Sequence, residues 1–356
     1  MVPAPPYDAV VVVSFGGPEG PDDVMPFLEN VLRGRSVPRA RVEEVAEHYR
    51  IFGGVSPING INRALVSALT AELVGAGHDL PVYWGNRNWR PYLADEVRRM
   101  RDDGVRRALA FVTSAYGSYS SCRQYLDDID AARAATGDGA PAIDKLRLFY
   151  NHPRFFEVWV ESLDRALTSA GGEPAVLFSA HSIPVAMAST CGYEAQLTET
   201  ARLVASGAGL AGEGLAGWQM VWQSGSGPPG QPWLEPDLTT AIESLPEGTE
   251  AVVVAPIGFV SDHMEVVYDI DHQAAAVAAR RGLRLVRAAT PGTDPRFVTM
   301  IRELIEERLD PASPRPSPGS LATPPVCTPG CCPRPVRPAE KKAASGQVFG
   351  AELLGQ

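Results

Sequence analysis

Short, continuous runs of hydrophobic residues alternate along this chain with longer segments that have the hydrophobic period of a helix. Short apolar runs at 7–15, 107–113, 175–178 and 251–257 end at Gly, Pro or polar residues, as expected for strands buried on both faces. Segments between them repeat apolar residues every three or four positions, which predicts amphipathic helices. Strands separated by helices predict parallel sheets with right-handed crossovers.

The alternation predicts a long series of elements. Strands are expected at 7–15, 80–85, 107–113, 175–180, 218–222, 251–259 and 283–288. Helices are expected to open at 21–23 and to cover 41–49, 59–74, 92–102, 153–169, 194–208, 236–244, 265–280 and 294–309. The fold class is therefore α/β, with two Rossmann-like, doubly wound parallel-sheet domains.

The domain bounds follow from a break in the series near 144–151. We predict one domain over 7–148, a second over 149–310, and a cleft between them where a substrate would bind. From residue 311 the chain is rich in Pro and has no apolar period. The tail at 311–356 is expected to be a linker or a disordered extension, apart from its cysteines.

Composition narrows the class of protein. The 356 residues are 45% hydrophobic and 21% charged, enough apolar material for two cores. A net charge of −10 with no basic tract argues against nucleic-acid binding. No apolar run is long enough to span a bilayer, and the first six residues lack the pattern of a signal peptide. We expect a soluble, cytoplasmic protein without stable membrane insertion.

Two segments that follow buried strands carry the candidate chemistry. His181 follows one apolar run and Glu265 follows another, and open α/β sheets build their sites at the carboxyl ends of strands. A single His in this position is more often structural than catalytic. Glu265, Asp269 and Gln273 are spaced to share a helix face. The helix dipole explains acids in the first turn, such as Asp262, but explains poorly a row that continues for two turns. Such a row next to an imidazole is suited to moving divalent cations or protons.

Two further segments allow two interpretations each. Trp222 and Trp233 flank a loop rich in Pro and Gly, where they could pack in the core or form a wall for a flat aromatic ligand. Gly53 and Gly54 precede Ser-Pro and could make a turn or allow the backbone to approach a ligand carboxylate. The spacing lacks GxGxxG, so a dinucleotide site is not predicted.

Several motifs in order carry a family resemblance. They are Ser14-Phe-Gly-Gly-Pro-Glu-Gly, Phe52-Gly-Gly-Val-Ser-Pro-Ile-Asn, Gly85-Asn-Arg-Asn-Trp, Ser179-Ala-His-Ser-Ile-Pro, Trp222-Gln-Ser and Phe259-Val-Ser-Asp-His-Met-Glu. The chain resembles ferrochelatases of the actinobacterial kind, which insert Fe²⁺ into a porphyrin, and most closely the branch that uses coproporphyrin. The resemblance implies a class II chelatase fold, with the porphyrin clasped between two domains.

The implied function is the conversion of coproporphyrin III to Fe-coproporphyrin III (coprohaem) in haem biosynthesis, with handover to a downstream enzyme of the pathway. Protoporphyrin IX is the alternative substrate, and a non-catalytic haem carrier is the alternative from another class. A cobalt or nickel chelatase would be expected to rely on paired histidines, and a periplasmic solute-binding protein would need an export signal.

The resemblance also implies roles for particular residues. His181 and Glu265 would be catalytic and face the metal from opposite sides of the cleft. His181 would accept pyrrole protons or ligate Fe²⁺, and Glu265 would hold the other side. The expected tetrapyrrole contacts are Phe15, Arg33, Tyr49, Ser56 and Tyr125, with Arg33 and Ser56 anchoring propionates. Relatives often carry Tyr at the position of Phe15, and Glu at that of Asp269.

Five cysteines suggest a second metal site. Cys327, Cys331 and Cys332 fall within six residues, and in a cytoplasmic protein such thiols bind metal more often than they form disulfides. Cys122 is the expected fourth ligand and Cys191 the alternative. The resemblance implies a [2Fe-2S] cluster held by one internal and three carboxyl-terminal cysteines. Zinc and free thiols are the other interpretations.

Overall fold

The uninterrupted apolar runs form the central strands of two parallel sheets. The structure is a computed structural model that describes residues 7–34, 37–210, 212, 217–226, 230–328 and 330–335. The first six residues and residues 336–356 of the predicted tail lie outside the described residues.

The first half of the chain builds one sheet with its helices. In chain order the elements are β1 (Ala9–Ser14), α1 (Val24–Val31), α2 (Arg39–Ile51), α3 (Ile58–Gly75), β2 (Val82–Asn86), α4 (Leu93–Asp102), β3 (Arg107–Val112), α5 (Gln124–Thr136) and β4 (Ala142–Lys145). A 3-10 turn at Pro21–Asp23 precedes α1 and a π turn at Tyr119–Arg123 precedes α5. The strands are all parallel, in the order β2-β1-β3-β4.

The second half repeats this topology. Its elements are α6 (Pro153–Ala170), β5 (Ala175–His181), α7 (Val185–Ala188), α8 (Tyr193–Gly207), β6 (Trp218–Gln223), α9 (Leu238–Glu243), β7 (Ala251–Ala255), α10 (Met264–Val266), α11 (Ala275–Arg280), β8 (Arg284–Arg287) and α12 (Pro295–Leu309). A π segment at Val267–Ala274 joins α10 to α11. The parallel strand order β6-β5-β7-β8 matches that of the first sheet, so the predicted α/β architecture of two parallel-sheet domains is confirmed.

The central strands are buried on both faces because helices cover both sides of each sheet. Every residue of β1 (Ala-Val-Val-Val-Val-Ser) and of β7 (Ala-Val-Val-Val-Ala) is buried. Branched side chains suit this pleated, enclosed position. In the first sheet Val12 is in register with Trp84 on one side and with Phe111 on the other.

Four features of the fold differ from the expected series. The sequence analysis did not predict α5, β4 or the short helix α7. Helix α5 is Ala-rich and only weakly amphipathic, and β4 is a four-residue edge strand with no buried residue. The expected helix over 265–280 forms as α10, the π segment and α11 in succession. Such π segments are rare and frequent at functional sites.

An aromatic core joins the two halves. Phe111 from β3 stacks on Phe149 with ring centroids 5.3 Å apart, and Phe149 meets Phe155 of α6 edge to face at 5.3 Å. Phe297 of α12 lies 6.0 Å from both Phe111 and Phe149. All four side chains are at most 2% exposed. One continuous hydrophobic core therefore spans both sheets.

Helix α12, which the sequence assigns to the second domain, also contacts the first. Arg302 binds Glu72 of α3 at 2.9 Å, and His78 lies 3.0 Å from Glu306. The bounds 7–148 and 149–310 stay a prediction, because this helix packs against α3 as well as α6.

The tail is docked on the body of the protein as far as it is described. Arg147 donates to the Pro316 carbonyl at 3.0 Å, and Asn151 donates to Ser317 Oγ at 2.8 Å and to the Leu321 carbonyl at 2.9 Å. The expectation of a linker or disordered extension is wrong for 311–328. Buried polar side chains of the body hydrogen-bond to the backbone of this segment. Docking of this kind does not require a repeating pattern of apolar residues, so the sequence pattern did not reveal it.

No helix among the described residues combines the length and the apolar character needed to cross a membrane.

The buried pair under the tail gives a stability prediction. Arg147 and Glu307 are each 3% exposed and form two hydrogen bonds of 2.7 and 2.8 Å. Glu307→Gln leaves the guanidinium charge buried without a counter-charge, so we expect the free energy of unfolding to fall by about 3–5 kcal/mol. Urea denaturation measures this loss.

The matched control is Glu43→Gln, which breaks an exposed ion pair with Arg39. It should change the free energy of unfolding by less than about 1 kcal/mol. Equal effects of the two substitutions would contradict a stabilising role for the buried pair.

Candidate active site

The predicted catalytic residues lie at the carboxyl edge of the second sheet. His181 is the last residue of β5, and Glu265 lies in α10, which follows β7. The strands β5 and β7 are neighbours in the centre of the sheet. After β5 the chain continues to β6 at one edge, and after β7 it continues to β8 at the other edge. This topological switch point is where open α/β sheets form their binding crevices.

The two side chains form a close pair. His181 Nε2 lies 3.6 Å from Glu265 Oε1, and the side chains keep 32% and 48% of their surface exposed. A flat ring needs about 3.5 Å of van der Waals separation on each face, so it cannot lie between them. The expectation that they face the metal from opposite sides of the cleft is wrong. Both belong to the second domain and address the cleft from the same side.

Hydrogen bonding fixes the proton on the imidazole. His181 Nδ1 contacts the carbonyl of Ser182, and because a carbonyl only accepts, Nδ1 is the protonated nitrogen. Nε2 therefore faces Glu265. This orientation leaves Nε2 as the atom that can exchange a proton or bind a metal.

The charges of the pair stabilise each other. Burial alone would lower the pKa of His181, but the charge of Glu265 outweighs burial and raises the pKa to about 9. Burial alone would raise the pKa of Glu265, and the charge of His181 lowers the pKa to about 2. At neutral pH the pair is therefore an imidazolium next to a carboxylate.

Asp269 is held near this pair by two residues to which the sequence analysis gave no role. The Ser224 hydroxyl donates to Asp269 Oδ2, and the Gln223 amide donates to the backbone carbonyl of Glu265 at 2.8 Å. Ser224 has a φ of +59°, a strained conformation that is common at functional sites. Burial, with a contribution from Glu265, raises the pKa of Asp269 to about 7.

The remaining acids of the segment do not continue the row. Arg287 binds Asp262 at 3.0 Å and Asp271 at 2.8 Å. Thr290 also donates to Asp262 at 2.8 Å. These two carboxylates are neutralised within the protein, so Glu265 and Asp269 are the acids left to serve the cleft.

Residues of the first domain form the opposite wall. Phe15 follows β1 and packs with Phe27, which also meets Tyr49 edge to face at 5.8 Å. Tyr49 and Tyr125 are 9% and 5% exposed. The charge of Glu265 contributes to the raised pKa of both tyrosines, after burial. Phe15 and Tyr49 share a cluster with Met264, the residue before Glu265, so three of the five expected tetrapyrrole contacts lie near the His181–Glu265 pair.

The other two expected contacts lie apart. Arg33 is exposed just beyond α1, where it donates to Asn30 Oδ1. Ser56 is 4% exposed, and its backbone N–H donates to the Pro18 carbonyl at 2.9 Å. A Cβ at Gly17 would lie 2.6 Å from Ser56 Cβ, so these two loops touch closely.

Arg87 is a residue of this wall that the sequence analysis missed. Its guanidinium lies over the rings of Tyr125 at 4.8 Å and Phe15 at 5.7 Å, and it pairs with Asp128 at 2.5 Å. Stacking on two ring faces holds a cation at the aromatic wall. Its place directly after β2, in the Gly85-Asn-Arg-Asn-Trp motif, was the available signal.

Contacts between the domains narrow the cleft on one side. Met264 is buried in the same cluster as Tyr49 and Trp89 of the first domain. His48 of α2 stacks on Tyr268 of the π segment with ring centroids 3.7 Å apart. The segment that carries Glu265 therefore packs directly against the first domain.

In the two segments with alternative interpretations, Trp222 packs in the core and Gly54 lies where two loops approach closely. Trp222 is 3% exposed and packs against Tyr193 at 6.0 Å. Gly54 has a φ of +76°, and a Cβ there would lie 2.5 Å from Pro21 Cα. The glycine is needed for this close approach of two loops.

The tail brings its cysteines to the first domain. Cys122 lies in the π turn before α5 and is 2% exposed. The nearby thiol of Cys327 raises the pKa of Cys122, and Cys122 in turn lowers the pKa of Cys327. Burial, with a contribution from Cys327, raises the pKa of Cys331. The tail therefore brings cysteines close enough to Cys122 to affect its titration.

The thiol of Cys191, the alternative ligand, donates to the Met187 carbonyl at 3.3 Å. Cys191 also contributes to the raised pKa of Cys332, after burial and Cys331, so the fourth ligand stays a prediction. All five thiols are free. Within the part of the chain that the structure describes, no group of three or more His, Cys, Asp or Glu is arranged to hold a metal ion.

Fold and site together define a two-domain α/β protein in which an imidazole–carboxylate pair of the second half lies near an aromatic cluster of the first. A family model described as Ferrochelatase matches residues 7–309. The chain belongs to the ferrochelatase family.

Individual relatives agree with this membership. The chain is 52% identical to a protein named Ferrochelatase from Rhodopirellula baltica, over 93% of this chain and 95% of that protein. It is 50% identical to a protein named Coproporphyrin III ferrochelatase from Mycobacteroides abscessus, over 92% and 98% of the two chains. A protein of the same name from Nocardia farcinica is 49% identical, over 96% and 99%.

Two solved structures align with lower similarity. One is CbiX, described as the terminal enzyme for biosynthesis of sirohaem in denitrifying bacteria. It is 16% identical, with a TM-score of 0.46 over 84% of this chain and 98% of that one. The other is the sirohydrochlorin chelatase SirB from Bacillus subtilis subspecies spizizenii, which is 11% identical, with a TM-score of 0.49 over 85% of this chain and 94% of that one.

The charge pair gives a prediction for the pKa of His181. In Glu265→Gln the carboxylate charge is gone while burial remains, so we expect the pKa of His181 to fall below the usual range of histidine. NMR titration of protein labelled with ¹⁵N-histidine measures this pKa, and the His181→Ala spectrum assigns the signal.

Asp271→Asn is the matched control for this titration, because Asp271 lies in the same helical segment but pairs with Arg287. It should leave the pKa of His181 unchanged. An unchanged pKa in Glu265→Gln would show that the pair does not set the protonation of His181.

Proposed function

We propose that this protein inserts Fe²⁺ into coproporphyrin III to give Fe-coproporphyrin III in haem biosynthesis. The observation that carries metal insertion is the imidazole–carboxylate pair, 3.6 Å apart and facing an aromatic wall. The choice of porphyrin is supported by relatives about 50% identical that are named coproporphyrin III ferrochelatase. We place the reaction in the cytoplasm, with the product passed to a downstream enzyme of the haem pathway.

The pair provides groups that suit Fe²⁺. Imidazole nitrogen and carboxylate oxygen are both ligands for this ion. Fe²⁺ that binds Glu265 would cancel the negative charge that keeps His181 protonated. The pKa of His181 would then fall, and Nε2 would be free to bind iron or to accept a proton.

Insertion releases two pyrrole protons for each Fe²⁺ that enters the ring. His181 Nε2 would first give up its own proton when iron arrives, and would then accept the two pyrrole protons in turn and pass each of them on through Asp269 to solvent. Asp269, whose pKa is raised to about 7 by burial, is suited to carry protons away at neutral pH. Ser224 and Gln223 would keep Asp269 and Glu265 in place for this transfer.

The wall of the first domain would hold the macrocycle. Phe15, Tyr49 and Tyr125 offer ring faces and edges for stacking. Arg33, which is exposed, would bind a propionate at the mouth of the cleft, and Ser56 would bind a second. With Phe at position 15, no phenolate is available there as an axial ligand to the product iron.

The test is the initial rate of iron insertion under anaerobic Fe²⁺, measured by absorption with coproporphyrin III and with protoporphyrin IX. We expect coproporphyrin III to be used faster. Removal of the proton acceptor in His181→Ala should lower kcat by roughly 10²–10⁴-fold. Binding of the porphyrin, followed by fluorescence quenching, should persist in this variant.

Each other result points to a named alternative. Faster use of protoporphyrin IX would assign the protein to the other branch of the family. Tight binding of the metallated product without turnover would identify a haem carrier. Near-normal turnover by His181→Ala would reject the proposed role of His181.

We further propose that Cys122, Cys327, Cys331 and Cys332 hold a [2Fe-2S] cluster. Four thiols are the usual donor set for this cluster. The proposal is supported by the effect of the tail cysteines on the pKa of Cys122, which requires them to lie near it. When bound, the cluster would brace the tail against the first domain. Zinc is the rival occupant.

Anaerobically purified protein should contain iron and acid-labile sulfide in equal amounts. Cys122→Ser should lose both, because it removes the internal ligand, whereas Cys191→Ser should retain them. Iron at background level, zinc in its place, or a loss confined to Cys191→Ser would each contradict the proposed cluster and ligand set.

A further inference from the structure

Two buried tyrosines lie behind the catalytic pair. Tyr116 is 1% exposed and Tyr193 is 4% exposed. Their rings meet edge to face with centroids 6.3 Å apart and an interplanar angle of 85°. Tyr116 follows β3 in the first half of the chain, and Tyr193 is the first residue of α8 in the second.

Tyr193 holds the strand end that carries the imidazole. Its hydroxyl donates to the backbone carbonyl of His181 at 2.9 Å. The backbone next to it is also fixed, because the Ser182 N–H donates to the Gln223 carbonyl at 2.7 Å. The position of the His181 backbone is therefore determined from both sides.

Tyr116 holds the segment that leads to the carboxylate. Its hydroxyl donates to the backbone carbonyl of Ile257 at 2.9 Å, across 141 positions of sequence. The next residue, Gly258, donates to the Ser179 carbonyl at 3.1 Å, and a Cβ there would lie 2.5 Å from Ala180 Cβ. The segment between β7 and Glu265 is thus hydrogen-bonded to β5 through Gly258 and to the first half of the chain through Tyr116.

Both hydroxyls remain donors over the working pH range. Burial raises the pKa of Tyr116 and of Tyr193 well above the usual value. A neutral phenol keeps its hydrogen bond to a backbone carbonyl at every working pH. The two tyrosines therefore take no part in proton transfer by His181 and Asp269.

We propose that Tyr193 and Tyr116 are positioning residues for iron insertion, which act by holding the His181 and Ile257 carbonyls and so set the separation of His181 from Glu265. The inference rests on the proposed function. A small displacement of reacting groups costs a large factor in rate, whereas porphyrin binding depends on the wall of the first domain and should be little affected.

The test is Tyr193→Phe, which removes one oxygen and keeps the ring. We expect kcat to fall about tenfold, because the His181 carbonyl loses its partner and the imidazole shifts. The KM for the porphyrin should remain close to that of the wild type. The pKa of His181 in the ¹⁵N titration should fall toward the value in Glu265→Gln, because the pair loosens. Tyr116→Phe should change kcat and this pKa in the same direction.

Tyr150→Phe is the matched control. Tyr150 is 1% exposed and stacks on Tyr116 with centroids 6.3 Å apart, but its hydroxyl donates to the Leu321 carbonyl of the tail. This variant should leave kcat and the pKa of His181 unchanged. Thermal unfolding of all three variants identifies any general loss of stability.

Two outcomes overturn the inference. One is a Tyr193→Phe enzyme with wild-type kcat and an unchanged pKa of His181. The other is an equal loss of kcat in Tyr150→Phe, which would make the effect one of core packing. A wild-type protein without iron insertion would instead reject the proposed function, and the titration of His181 alone would then decide whether Tyr193 positions the imidazole.

Discussion

The aromatic core between the two sheets is the constraint on which the rest of the structure depends. Phe111, Phe149, Phe155 and Phe297 come from both halves of the chain and from the crossover between them. Protein interiors are close-packed, so such a core fixes the relative placement of what it joins. The two sheets have the same strand order. Because the core holds them together, Tyr49 and Tyr125 of one domain lie within electrostatic reach of Glu265 in the other.

Desolvation and charge compete at the His181–Glu265 pair, and charge prevails. Burial disfavours both ions, yet each ion stabilises the other, so His181 keeps its second proton at neutral pH. Asp269 has no cationic partner of comparable strength, and burial dominates there. His181, Glu265 and Asp269 lie close together and therefore have three different proton affinities. An arriving Fe²⁺ would rearrange all three, because it adds positive charge where Glu265 now faces an imidazolium.

The tail shows how a polar segment without apolar periodicity can still be docked. Asn151 and Glu199 meet successive polar groups of residues 317–323, and Thr323 returns a hydrogen bond to Asn151 at 2.9 Å. Gly319, with a φ of +97°, lies against Glu199 where a side chain would clash. This docking places Cys327 near Cys122 of the first domain. The π turn that carries Cys122 leads directly into α5, which begins one residue before Tyr125 of the cleft wall.

Local pattern was enough to predict the alternation of strands and helices, because runs such as Ala251–Ala255 can satisfy their side chains only inside a covered parallel sheet. The motifs likewise identified His181 and Glu265. Local pattern missed α5 and β4, whose sequences carry little periodicity, and it missed Arg87, whose role depends on rings from two other elements. The separation of His181 from Glu265, 3.6 Å rather than the width of a ring, was decided by tertiary structure alone. Sequence sets which side chains follow each strand. Only the packing of crossovers, and of buried groups such as Tyr116 and Tyr193, sets how far apart those strand ends are held.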